Sequence, residues 1–217
     1  VVGTGANRQT FYVYRDLLSF YSGYFKAALN GSFAEANTGI IRLATEEPAV
    51  FTGFVKWLYT HKHRADKITD ANDTEYYMSI VKLWIFADRR DVPLLMNEMV
   101  DLFQQSMVAS WILPSGTIKE IYNNTTQESA LRRMVVDMHA SLSGCGTIAH
   151  IPYNSKFYTQ NFLIDLFKSL VATSPRRPQL SQEQYKKVEM CPAFHVHEEG
   201  VKCTKKGTKR SSDEMEK

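Results

Sequence analysis

Between residues 77 and 86 the chain places apolar side chains on more than one side of a helix. Tyr77, Ile80, Val81 and Trp84 form one face, and Leu83 and Phe86 form another. A helix that is apolar on several sides is a buried one. The neighbouring stretches supply partners for it. Leu17, Leu18, Tyr21, Phe25, Ala28 and Leu29 recur at helical spacing, but Gly23 interrupts them, which predicts two short helices in place of one straight helix. Glu46-Glu47-Pro48 opens a helix striped with Val50, Phe51, Phe54, Val55, Leu58 and Tyr59. Acids suit a first turn, and proline suits its first position.

The helical pattern resumes after Asp91-Val92-Pro93 with Leu95, Met99, Leu102 and Phe103. Thr117-Ile118-Lys119-Glu120 has the spacing of a capping box. Leu131, Met134, Val135, Met138 and Leu142 form one more stripe. Phe162, Leu163, Leu166, Phe167 and Leu170 form the last, broken by Pro175-Arg176-Arg177-Pro178. Alternation marks only short strands: Thr10–Tyr14, Gly39–Leu43 and a fragment at Lys67-Ile68, with Val1-Val2 as a hairpin partner. The expected fold class is α+β, with helices around a small sheet near the start and an α-helical extension behind it.

Composition narrows the function. Of 217 residues, 44% are hydrophobic and 23% charged, which fits a folded globular chain. No run approaches the ~18 unbroken apolar residues of a membrane span, and the first residues lack the pattern of a signal peptide. The net charge is +3, and residues 202–217 alone hold six basic against three acidic residues. The remainder is electrically balanced, which argues against direct nucleic-acid binding. Lys205-Lys206 and Lys209-Arg210 read either as a nuclear-localisation element or as a solvated tail. Three widely spaced cysteines, Cys145, Cys191 and Cys203, do not make a disulfide framework. A reducing compartment, cytoplasm and/or nucleus, is expected.

No catalytic motif stands out. Cys145 lies six residues after His139, but nothing marks a base held by a third group. Phosphate-cradling glycine loops, a nucleophile elbow and a His-Glu-x-x-His motif are all missing from the sequence. The chain is therefore not expected to be an enzyme. The sharpest cluster is Cys191-x3-His195-x-His197-x5-Cys203. Two thiolates and two imidazoles are a ligand set for tetrahedral zinc. The other reading is a polar tail with incidental Cys and His.

The stretch Phe11-x-Val13-Tyr14-x3-Leu18-x3-Ser22-x2-Phe25 resembles the core signature of the BTB/POZ domain. The resemblance continues through Phe33, Glu35, Ile41, Leu43, Phe51, Phe54, Trp57, Leu58, Tyr59 and Thr60. It ends at Leu83, Phe86, Ala87 and Asp88 before Val92-Pro93-Leu94. Two positions depart from it: Tyr14 stands where the family usually has His, and Gly23 where Pro usually follows Ser22. Tyr14–Ser19, Ala27–Phe33, Leu113-Pro114-Ser115 and Leu131-Arg132-Arg133 are similar to filamentous-fungal BTB proteins with a helical continuation. The resulting organisation is a BTB/POZ-like domain over 1–105, a helical extension over 106–174, and a loosely ordered, basic, Cys/His-containing tail over 175–217.

What the resemblance implies is a protein-interaction adaptor, including the substrate adaptors of cullin-RING ubiquitin ligases. The alternative it implies is a transcription-linked oligomerisation and docking module in the nucleus. Phe33-Ala34-Glu35 matches the hydrophobic-x-Glu pattern of cullin-binding members. The competing reading has Phe33 packed back on its own helix pair and Glu35 solvated. The family often dimerises through an element preceding the first core strand. The sequence starts at about that strand, so a monomer or weak homodimer is expected.

Overall fold

The computed structural model describes residues 1–62, 74–142, 152–172, 179–191 and 193–197. Among these the chain is mostly helical: α1 (Arg15–Tyr21), α2 (Gly23–Asn30), α3 (Ala34–Thr38), α4 (Pro48–Thr60), α5 (Thr74–Arg89), α6 (Pro93–Ser110), α7 (Ile118–Asn124), α8 (Ala130–Ser141), α9 (Gln160–Ala172) and α10 (Gln182–Tyr185).

The break between α1 and α2 falls at Ser22, one residue before the glycine. The Ser22 hydroxyl accepts from the Phe25 N–H at 3.0 Å and so caps α2. It also donates to the Arg90 carbonyl at 2.5 Å. The next residue adds a second tie, because the Gly23 N–H donates to the Asp91 carbonyl at 3.0 Å. Proline at 23 would have no N–H to give. A β-carbon there would also lie 1.8 Å from an Asp91 carboxylate oxygen. The N–H bond therefore excludes proline at this position, and any larger residue would make the Asp91 side chain swing aside. At the other end of α2, a β-carbon on Gly31 would lie 2.5 Å from the Ala27 carbonyl oxygen, so the turn into α3 also needs glycine.

Helix α4 starts with Pro48 in its first turn, as the sequence predicts. It buries Phe51, Phe54, Trp57 and Leu58. Phe54 stacks between Phe25 at 6.0 Å and Trp57 at 6.1 Å, and its ring lies 4.9 Å from Phe86 of α5. Helix α5 is buried on several sides, with Tyr77, Ile80, Val81 and Trp84 on one face and Leu83 and Phe86 on another. It turns at Asp91, whose φ is 48°, and Pro93 opens α6. Helix α6 runs unbroken through residue 105, so the boundary expected there falls inside one helix.

Beyond α6, helices α7, α8 and α9 build a second aromatic centre. The Tyr122 and Phe162 rings lie 5.6 Å apart, and His139 sits 4.9 Å from Phe162 and 5.7 Å from Tyr158. The imidazole Nδ1 is 2.7 Å from the Val135 carbonyl and acts as the donor. Burial pushes the ring's pKa down to about 4, with the Val135 bond opposing that shift. His139 is thus a neutral member of an aromatic core. Cys145 lies outside the described residues. From α9 only Phe162 and Leu166 are buried; Leu163, Ile164, Phe167 and Val171 face outward.

Three expectations need correction. The segment 10–14 keeps its alternation, with Phe11 and Val13 packed on the core and Tyr12 and Tyr14 exposed, but it forms no ladder among the described residues. Pairing there is reduced to bridges of Val2 with Gln9 and Leu43, and of Leu142 with Leu180. Of residues 39–43 only Leu43 forms a bridge, while the Ile41 carbonyl accepts from the Val1 ammonium at 2.7 Å. The Lys67-Ile68 fragment lies outside the described residues. Thr117 does not cap α7; it is wholly buried, ends a 3-10 turn, and donates to the Pro114 carbonyl at 2.8 Å. A capping box forms instead at Ser181–Gln184, where both reciprocal bonds are present. Finally, residues 179–191 and 193–197 of the expected loose tail are packed on the body, with Tyr185, Met190 and Phe194 buried.

Two stability outcomes follow. Ser22→Ala removes a cap and leaves the Arg90 carbonyl without its donor, so urea unfolding should show a loss of about 1–3 kcal/mol. A loss below about 0.5 kcal/mol would show that the tie is dispensable. For His139, the folded pKa lies below the ordinary imidazole value of 6.5. The unfolded chain therefore takes up a proton that the native chain refuses, and stability falls as pH drops from about 6.5 towards 4 by up to about 3 kcal/mol. His139→Asn keeps an N–H for Val135 without the titration. Its unfolding free energy should lose less over that window, and equal slopes in the two proteins would refute the assignment.

Candidate functional site

The C-terminal segment is held by a polar row on α6. Asn97, Asp101 and Gln104 are spaced to share one helix face. Gln104 Nε2 donates to the Val188 carbonyl at 2.8 Å and to the Tyr185 carbonyl at 3.3 Å. Asn97 pairs with both backbone groups of Val196: its Oδ1 accepts from the N–H at 2.7 Å, and its Nδ2 donates to the carbonyl at 2.9 Å. His195 Nε2 lies 3.0 Å from Asp101 Oδ1, with the imidazole almost fully buried.

This seating gathers three of the four predicted ligands. Phe194 N–H donates to the Met190 carbonyl at 2.8 Å, closing one turn that brings Cys191 back towards the histidines. His195 and His197 flank Val196 on an extended segment, where residues two apart share a face. One candidate ligand atom from each of Cys191, His195 and His197 lies within 4.8 Å of the others. Cys191 Sγ is 3.4 Å from His197 Nε2, and the two imidazole rings are 5.9 Å apart. Cys203 lies outside the described residues.

The other predicted pair sits at the opposite end of the sequence. Phe33 precedes α3 with an extended backbone, and its side chain is 59% exposed. Glu35 lies half-buried in the first turn of α3, where a carboxylate suits the helix dipole. The two therefore present an aromatic ring and a carboxylate from the same short element.

An adjacent face of α6 carries a second polar contact. Trp57 Nε1 donates to Glu98 Oε2 at 2.5 Å. Burial raises the Glu98 carboxyl above its ordinary value, while the Trp57 bond and His61 pull it down. An open cleft of about 510 Å³ lies between α8, α9 and residues 193–194. Its wall is structural: Arg132 bonds the carbonyls of Tyr122 and Thr125 and lies 4.4 Å above the Tyr122 ring. Tyr122 donates to Asp165 at 3.0 Å, and burial, then that carboxylate, raise its phenol well above the ordinary value. Sequence reasoning missed Asn97, Asp101 and Gln104. Polar residues along one helix face look solvated, and only the geometry reveals what covers them.

Comparison with the curated proteins and with the solved structures found no match. The protein-family model described as the BTB/POZ domain matches residues 1–88, which run from the Val2 bridge to the end of α5. Together with the helices that those residues form, the match shows that the chain carries a BTB/POZ domain, a protein–protein interaction module.

Proposed function

We propose that this chain is a protein-interaction adaptor that docks a partner through the Phe33–Glu35 element, in the manner of cullin-RING ubiquitin-ligase substrate adaptors. The observation that carries the reading is that an exposed aromatic, Phe33, and a carboxylate, Glu35, are presented from one short element in the hydrophobic-x-Glu order. Aromatic residues are the usual anchors of interfaces. The ring would fill a groove between partner helices, and Glu35 would accept a hydrogen bond or pair with a basic group at the rim. The helical continuation beyond α6 supports reading the chain as the filamentous-fungal type of BTB/POZ protein. The nuclear docking alternative rests on the basic cluster at 205–210, which lies outside the described residues.

The test is calorimetric titration of the purified chain with the N-terminal helical region of a cullin. Phe33→Ala should weaken binding by about 2 kcal/mol or more, whereas Glu35→Ala should cost less. Both should leave the melting temperature unchanged, because neither side chain belongs to the core. Parent binding that neither change weakens would move the contact elsewhere. A parent that binds no cullin would remove the ligase role and leave an adaptor for another protein.

A further inference from the structure

The geometry points to a zinc site built by Cys191, His195 and His197, which fastens the C-terminal segment to α6 with Asp101 as its positioning residue. Three observations converge on it. The first is distance. Two ligands sharing a tetrahedral zinc, one at a Zn–S length of ~2.3 Å and one at a Zn–N length of ~2.0 Å, are separated by about 3.5 Å. Cys191 Sγ and His197 Nε2 are 3.4 Å apart. The third ligand atom lies within 4.8 Å of both, so small side-chain rotations bring all three onto one ion.

The second is the Asp101 contact. A zinc-bound histidine commonly gives its other ring N–H to a carboxylate, which fixes the tautomer and the ring plane. His195 Nε2 lies 3.0 Å from Asp101 Oδ1, so as a zinc ligand His195 would donate its Nε2–H there and offer Nδ1 to the metal. The third is the backbone. Asn97 grips both polar groups of Val196, the residue between the two histidines, and the Met190–Phe194 turn holds Cys191 beside them. The site is thus preorganised by bonds that do not involve the ligands. Two neutral imidazoles and one thiolate are a donor set of net charge −1 suited to Zn²⁺, and the fourth tetrahedral position is left for water or a further donor. A bare S–H···N contact between Cys191 and His197 would explain the 3.4 Å distance. It would not account for a third candidate ligand atom, from His195, within 4.8 Å of both.

The experiment uses the full chain, reduced and purified without chelator. Elemental analysis should find about one zinc per chain. After the metal is stripped, titration with Co²⁺ should produce a thiolate-to-cobalt charge-transfer band together with the visible bands of a tetrahedral ion. The melting temperature should fall on stripping and return with Zn²⁺. Cys191→Ser and His197→Ala should each abolish the charge-transfer band or weaken Co²⁺ binding at least tenfold. Asp101→Asn should retain the band and the stoichiometry but weaken Zn²⁺ affinity about 10–100-fold. A parent chain that retains no zinc and gives no cobalt band overturns the site outright, without reference to any variant. Wild-type affinity in Asp101→Asn, measured at an unchanged melting temperature, overturns the role given to Asp101.

Discussion

The ion pair between Arg90 and Glu46 is the contact on which the N-terminal half depends. Their atoms meet at 2.7 Å, and both side chains are largely withdrawn from water. Arg90 also lies 4.5 Å above the Tyr24 ring, and its carbonyl takes the Ser22 hydroxyl. A single residue at the end of α5 therefore joins α2, the entrance to α4 and the turn into α6. A buried ion pair adds little net stability over an apolar replacement, but losing one partner leaves an uncompensated charge at a cost of about 3–5 kcal/mol. It ties the entrance of α4, at Glu46, to the end of α5. Further along α4, Phe54 meets Phe25 and Phe86. The aromatic core then supplies the stabilising energy through apolar burial.

The α5–α6 hairpin carries that arrangement into the rest of the molecule. Helix α5 completes the BTB/POZ domain, yet it also packs against α7 and the Ser115–Thr117 turn. Helix α6 makes contacts from two adjoining faces. Glu98 faces Trp57 in the BTB/POZ domain, while Asn97, Asp101 and Gln104 hold residues 185–196. The C-terminal segment thus lies on the same helix as the domain's own Trp57 contact. A boundary at residue 105 has no physical meaning in such a structure, because cutting there would sever one continuous helix.

Much of this was legible where a local rule had no competitor. Pro48 and Pro93 mark the starts of α4 and α6 because a ring-locked φ and a missing N–H suit a first turn. Burial of α5 follows from apolar residues all round it. The break between α1 and α2 is legible from Gly23, whereas the cap that Ser22 makes there is not. Legibility fails where tertiary contacts decide. Thr117 has the spacing of a cap, but the 3-10 turn before it already supplies the Pro114 carbonyl to its hydroxyl. The ladder expected at 10–14 needs a partner strand, and alternation specifies only which side chains turn inward. The C-terminal segment reads as polar and loose because its apolar anchors, Tyr185, Met190 and Phe194, are isolated in a charged stretch. They are buried because α6 supplies the hydrogen bonds that let an irregular backbone lie against the core.

That last point sets the stability of the C-terminal segment apart from that of the helices. A short helix such as α10, four residues long, cannot sustain itself by its own hydrogen bonds. It exists because a reciprocal capping box closes its start and because Tyr185 is sunk into the core. From there to His197 the described backbone is held partly by its own local turns and partly by Gln104 and Asn97 of α6. Each such bond contributes only about 1 kcal/mol net, so the segment is held by a few discrete clamps and not by a cooperative element. A segment held by separate clamps opens locally more readily than a packed helix, and a further tie between Cys191, His195 and His197 would add to the clamps that Asn97 and Asp101 make there.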